Sequence, residues 1–169
     1  MGMMLLGVKP MVDNKHHITI TGIIIRDGKY LITKRSMNKR LFPGMWTVPG
    51  GNLETVDYIN DDKDTSSHWY NVVEKVLRRE IMEEVGLQVK NIKYLTNMTM
   101  MAGDNPLMIF SLYCDHHDGD VVLNDESVDH KWVSLEEARE HDLIEGIYDE
   151  LVMLDKILKG DKVSEWKKK

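Results

Sequence analysis

Cysteine is almost missing from this chain of 169 residues: Cys114 stands alone, so no intrachain disulfide can staple the fold. Set in the apolar run PLMIFSLYC, it reads as a small core residue rather than a nucleophile, and the chain reads as a cytoplasmic one. Long hydrophobic runs are missing too, which argues against a membrane span, since a spanning helix needs about 20 apolar residues. The most apolar opening stretch, MGMMLLGVKPMV, is interrupted by Lys9 and Pro10. It lacks a basic leading segment and a small-residue cleavage site, so residues 1–15 are expected to form an extra strand or a loose arm. Positive charge is also in short supply. With 22 Lys and Arg against 28 Asp and Glu, the net charge is -6, which argues against the dense basic surface of a nonspecific nucleic-acid binder. A polyphosphate partner would then need a metal bridge.

What is present is ordinary for one globular domain able to bury a core: 42% apolar and 30% charged residues, with no repeat or low-complexity tract. The β-branched run ITITGIIIR (18–26), the dipeptide Asp27-Gly28 and KYLITKRS (29–36) predict a hairpin. Two of the four prolines fall in LFPGMWTVPGGNLE (41–54), which reads as a loop holding a strand. The acidic stretch 55–68 has no usable period and reads as loop. From Trp69 to Val85 apolar residues recur at helical spacing, and Gly86 supplies a stop. Further strands are expected at 91–101, 107–114, 120–123 and 130–133, and helices near 135–141, opened by a Ser134-x-x-Glu137 capping box, and near 145–159. This order predicts an α/β fold with a mixed sheet covered on both faces, and a solvated, flexible tail at 161–169.

The helical segment RREIMEEVG (78–86) carries the chemistry. At about 100° per residue, Glu80, Glu83 and Glu84 share one side of the helix with Val73, Val76 and Leu77. Like charges crowded beside an apolar stripe raise one another's pKa and call for a compensating cation. Hard divalent ions favour such oxygen donors, and Mg²⁺ typically combines one or two carboxylates with substrate phosphates. A solvated face laced by ion pairs would explain the same residues.

The preceding loop distinguishes the two. VPGG followed by RREIMEEVGL resembles the Nudix box, Gly-x5-Glu-x7-Arg-Glu-U-x-Glu-Glu-x-Gly-U, with U a bulky aliphatic residue. Gly51 matches its opening, and Arg79, Glu80, Ile81, Glu83, Glu84, Gly86 and Leu87 match its second half without a gap. The resemblance, spanning about 18 to 158, implies a Nudix α/β/α sandwich with a mixed β-sheet. It also implies hydrolysis of a nucleoside diphosphate linked to another moiety, with Mg²⁺ or Mn²⁺ as cofactor. It casts Glu80, Glu83 and Glu84 as metal ligands, Glu80 also as activator of water, the Gly51 carbonyl as a further ligand, and Arg79 as the group that orients a carboxylate. Homodimerisation is left open.

The box departs from the pattern in its first half. With five residues between, Gly51 is followed by Asp57 rather than Glu, and Asp57 is separated from Arg79 by 21 residues instead of seven, so a 14-residue insertion, 58–71, is expected. Asp57 and Asn71 compete for the place of the first glutamate; Asp57 is preferred and joins the metal set. Within the insertion, Trp69 is read either as a platform stacking on a base or as an anchor for the helix. From a late loop, Glu126 is a candidate ligand or general base, against an exposed turn residue. Arg35, at the end of a strand, is a candidate phosphate contact. His16–His17 and His116–His117 lack a third ligand and read as surface residues. For substrate, the expectation is a nucleoside triphosphate cleaved to monophosphate and pyrophosphate. Alternatives are ADP-ribose, a dinucleotide or coenzyme A, and, in another class, a Nudix-like module that senses a nucleotide without cleaving it.

Overall fold

The computed structural model describes residues 15–162 and 165–166. Except for Lys15, the expected N-terminal arm lies outside these residues, as do 163–164 and 167–169 of the expected tail. The chain opens with a hairpin of β1 (His17–Arg26) and β2 (Lys29–Arg35). Its two-residue turn needs positive φ at both positions, and Asp27 (51°) and Gly28 (74°) supply it.

The hairpin strands stay paired only at the turn, Ile25 with Tyr30 and Arg26 with Lys29. Beyond it β1 pairs with β4 (Gly50–Asn52), while β2 pairs with β3 (Trp46–Thr47). On its far side β2 carries β7 (Ser127–Val133), antiparallel. The other flank of β1 pairs in parallel with β6 (Asn105–Asp118), which is joined antiparallel to β5 (Gln88–Ala102). The sheet is therefore mixed.

Alternation along the strands divides the core into two layers. Ile20, Ile24, Leu31, Leu112 and Cys114 face α1 (Val72–Val85), meeting Val76, Leu77, Ile81 and Val85. Ile23, Tyr30, Ile32 and Val133 face the opposite way, against Ala138 of α2 (Leu135–Ala138) and Ile147, Leu151 and Leu154 of α3 (Ile147–Leu158). Helices thus cover both faces, and Cys114 is buried as expected.

Three expectations change. The helix begins at Val72 rather than Trp69, because Asn71 is left-handed (φ 54°) and Tyr70 spends its amide on the Asp64 carboxylate. Residues 120–123 form no strand: Val122 and Asn124 instead donate to the carbonyls of Val85 and Glu84, satisfying the open end of α1. The loop 41–54 holds two short strands rather than one. The expected stop and cap are present, with Gly86 left-handed (φ 69°) and Ser134 accepting from the Glu137 amide.

Candidate active site

Where the hairpin strands part, a cleft of about 450 Å³ opens on the face that carries α3. Its floor runs across the sheet from Gly50, Gly51 and Asn52 on β4, over Thr19 and Thr21 on β1, to Leu107 and Ile109 on β6 and Met98 and Met100 on β5. One end is acidic, with Glu54, Glu80, Glu84 and Glu126, and holds the cations Arg35 and Lys39. The other end is mostly apolar and is closed by Ile144, Ile147 and Glu150.

Glycine is required where β4 meets the acidic end. A Cβ on Gly50 would stand 2.3 Å from the Ile20 carbonyl oxygen, and one on Gly51 would stand 2.1 Å from the Glu80 carboxyl carbon. That closeness lets α1 press its carboxylates onto the strand. Glu84 accepts a hydrogen bond from the Gly50 amide at 3.0 Å. Burial, helped by repulsion from Glu126 and Glu80, pushes its pKa up to about 7 despite that hydrogen bond and nearby Lys39. Burial also raises Glu80, against the pull of Arg79 and with added repulsion from Glu83 and Glu126.

Arg79 ties this cluster to the loop before it. Its Nε donates to Asp57 Oδ1 at 2.7 Å and its Nη2 to Oδ2 at 3.2 Å, while Nη1 lies 2.9 Å from Glu80 and 3.0 Å from Glu83. The Asp57 side chain is 5% exposed and also accepts from the Glu54 amide. Burial opposes its ionisation, yet that amide and the guanidinium together hold its pKa below the ordinary carboxylate value. Of the two competitors, Asp57 is the one in contact with Arg79; Asn71 sits in the loop connection at the start of α1.

The expected residues therefore separate into two groups. Gly51, Glu80, Glu84, Glu126 and Arg35 line the cleft together. Arg79, Asp57 and Glu83 form an ion-paired bracket behind it, with both oxygens of Asp57 committed to that bracket. Trp69 lies apart. Its indole donates to the Asp61 carbonyl, its ring packs on Tyr58, and no residue of 58–71 is among those lining the cleft. Glu126 pairs with Lys39, and Arg35 donates through Nε to the Leu41 carbonyl.

Sequence reading missed Lys39, Glu54 and Glu150. For Glu150 a signal existed: it interrupts the buried stripe Ile147, Leu151, Leu154 of α3 with a carboxylate. Lys39 and Glu54 sit in loops with no period to mark them.

Known proteins resemble the chain throughout this architecture. The family model described as NUDIX domain matches residues 15–153. Nucleoside triphosphatase NudI of Salmonella newport (strain SL254) is 32% identical over 133 residues, covering 72% of this chain and 84% of the relative. NudI of Klebsiella pneumoniae (strain 342) is 28% identical over 132 residues with the same coverage. Among solved structures, a MutT NUDIX hydrolase from Burkholderia pseudomallei superposes with a TM-score of 0.66 at 20% identity, over 83% of this chain and 98% of that one. The NUDIX domain of Shewanella oneidensis NrtR, complexed with ADP ribose, gives 0.67 at 16% identity, over 90% and 94%. The chain belongs to the NUDIX family, as a hydrolase acting on phosphoanhydrides.

Proposed function

We propose that the chain cleaves nucleoside triphosphates to monophosphate and pyrophosphate with Mg²⁺ or Mn²⁺. The observation that carries this reading is the joining of an acidic, glycine-floored end to an apolar end in one cleft. The NudI relatives, named nucleoside triphosphatases, support the choice of substrate.

Divalent metal dependence is typical of the family, and the residues here fit such an ion. The donors are all oxygens, the two half-buried glutamates repel each other's charge, and Gly51 leaves its carbonyl region free of any side chain of its own. Among the described residues no three acidic, histidine or cysteine side chains form a ready-made cage. That suits Mg²⁺, which draws part of its shell from substrate phosphates and water. Glu80, Glu84 and the Gly51 carbonyl would hold it, with Glu126 beside them. Bound there, the ion would neutralise phosphate oxygens and lower the pKa of water.

The chain's own groups supply the rest. Arg35 and Lys39 bind the phosphate chain, and Arg79, fixed by Asp57, orients Glu80 and Glu83. Glu80 takes the proton from water as the oxygen adds to phosphorus, and the bridging P–O bond breaks with its electron pair leaving on pyrophosphate. Glu126 is the alternative base. The segment 58–71 acts as a self-bonded loop that braces the start of α1, with Trp69 as its anchor.

The test is turnover of a panel: ribo- and deoxynucleoside triphosphates, ADP-ribose, dinucleotides, nucleotide sugars and coenzyme A, with Mg²⁺ or Mn²⁺ and with chelator. Chelator-sensitive release of pyrophosphate from triphosphates is expected. Turnover confined to ADP-ribose or dinucleotides would replace the substrate class. Nucleotide binding without turnover of any compound would replace the enzyme with a sensor.

A further inference from the structure

The apolar end of the cleft contains one buried carboxyl group whose part in the reaction is unassigned. Glu150 is 5% exposed, on the first turns of α3. Its Oε2 accepts a hydrogen bond from the Ser111 hydroxyl, itself fully buried on β6. No buried side-chain oxygen among the described residues is left without a partner, and Oε1 of Glu150 makes no hydrogen bond, so that oxygen is open to the cleft. Its surroundings are apolar: Met98, Ile109, Ile144 and Ile147 share the same wall.

Register gives the distance from the acidic end. Thr21 on β1 faces Gly50 on one side and Ser111 on the other. Two strand spacings therefore separate β4 from Ser111, about 10 Å. A nucleotide whose phosphates lie at Gly50 and Gly51 reaches this point with its base.

We infer that Glu150, held by Ser111, is the specificity-determining group of the cleft, accepting hydrogen bonds from a nucleobase that presents two adjacent N–H donors, the guanine type of edge. This rests on the nucleotide reading above. An ionised carboxylate is an acceptor only, and it can take two parallel donors. The ring amide N–H and the exocyclic amino group of guanine supply such a pair, with Oε2 keeping a second lone pair beside the Ser111 hydrogen bond. Adenine and cytosine set a ring acceptor next to their amino group, and uracil flanks its single N–H with carbonyls, so each places a lone pair against the carboxylate. A site built this way rejects the wrong edge because its buried polar group is left unpaired. The methionines of the wall offer a polarizable surface to the ring face. Burial pushes the pKa of Glu150 up to about 7, the mark of a desolvated carboxyl group that a donor pair would satisfy.

The test is steady-state hydrolysis of GTP, ATP, CTP and UTP at pH 8 by the wild-type chain and by Glu150→Gln and Ser111→Ala, with thermal melts of each. The wild type should favour GTP. Glu150→Gln should raise KM for GTP by about 10- to 100-fold with kcat little changed, as expected for one charge-assisted donor pair. It should leave KM for the other three substrates no higher than in the wild type, since it removes the carboxylate that opposes their lone pairs. Ser111→Ala should give a smaller shift in the same direction. A change shared equally by all four substrates, or tracking a loss of melting temperature, would assign Glu150 a structural role and overturn the inference, as would wild-type preference for another base. Absence of hydrolysis of all four would instead remove the nucleotide reading beneath it.

Discussion

Replacing Gly51 by alanine probes the acidic end of the cleft at its tightest point. The added Cβ would stand 2.1 Å from both Cδ and Oε1 of Glu80, whereas ordinary contact begins near 3.4 Å, so the carboxyl group must retreat by about 1.3 Å. The obstacle is the end of a side chain, not backbone, so Glu80 can swing away and the fold should survive with little loss of stability. Function should not, because a misplacement of about 1 Å in a reacting constellation costs about 100-fold in rate, equivalent to about 2.7 kcal/mol of barrier. Gly50→Ala provides the contrast. There the Cβ meets the Ile20 carbonyl oxygen at 2.3 Å and Thr21 Cα at 2.7 Å, both backbone, so overpacking should destabilise the chain by about 3 kcal/mol. Measuring kcat with saturating Mn²⁺ beside urea unfolding separates the two effects. Wild-type kcat in Gly51→Ala would refute the argument, since Glu80 would then have no need of its place against β4.

Asp57→Asn removes the most buried of the three carboxylates paired with Arg79 and leaves Glu80 and Glu83 in place. Breaking a buried pair costs about 3–5 kcal/mol, and with Arg79 one-third exposed the loss should be nearer 2 kcal/mol. Urea midpoints measure it, and a change below a few tenths would show the bracket to be dispensable. Glu84→Gln should abolish metal-dependent turnover while folding normally, and Mn²⁺ should raise the melting temperature of the wild type but not of this variant; unchanged turnover would sink the metal assignment. Glu150 should shape stability against pH. Its pKa is about 7 in the folded chain against an ordinary 4.5, so between these values the folded state holds a proton that the unfolded state has released. Stability should fall as pH rises through this window, by about 3 kcal/mol for a shift of this size. Glu150→Gln lacks that titration, so its stability relative to wild type should improve from pH 5 to pH 8, and parallel curves would show that the carboxyl is not buried as described.

The glutamate helix was legible because its signal is local: Val76, Leu77, Glu80, Ile81 and Glu84 repeat at the helical period, and Gly86 marks the stop. The hairpin was legible for the same reason, through alternation and Asp27-Gly28. Residues whose partners lie far along the chain were not. Glu150 meets Ser111 only because α3 crosses the sheet above β6, and Lys39 meets Glu126 only because a loop after β2 comes beside a loop before β7. The mistaken strand at 120–123 has a related cause, since Val121, Val122 and Leu123 look like strand residues until the end of α1 takes the amides of Val122 and Asn124. Trp69 fitted the helical period of α1, but left-handed Asn71 interrupts the register between them, a backbone state that side-chain spacing does not report.

The parallel pairing of β1 with β6 also bears on how the molecule comes to exist. His17 registers with Leu107 and Ile25 with Asp115, partners separated by 90 residues, so this seam closes a long loop before it gains any contact. Both neighbouring hairpins, β1–β2 and β5–β6, can form from nearby residues beforehand. During synthesis the glutamate helix therefore emerges and can meet β1 before the apolar end of the cleft has a floor, and that end is complete only when β6 docks and α3 follows.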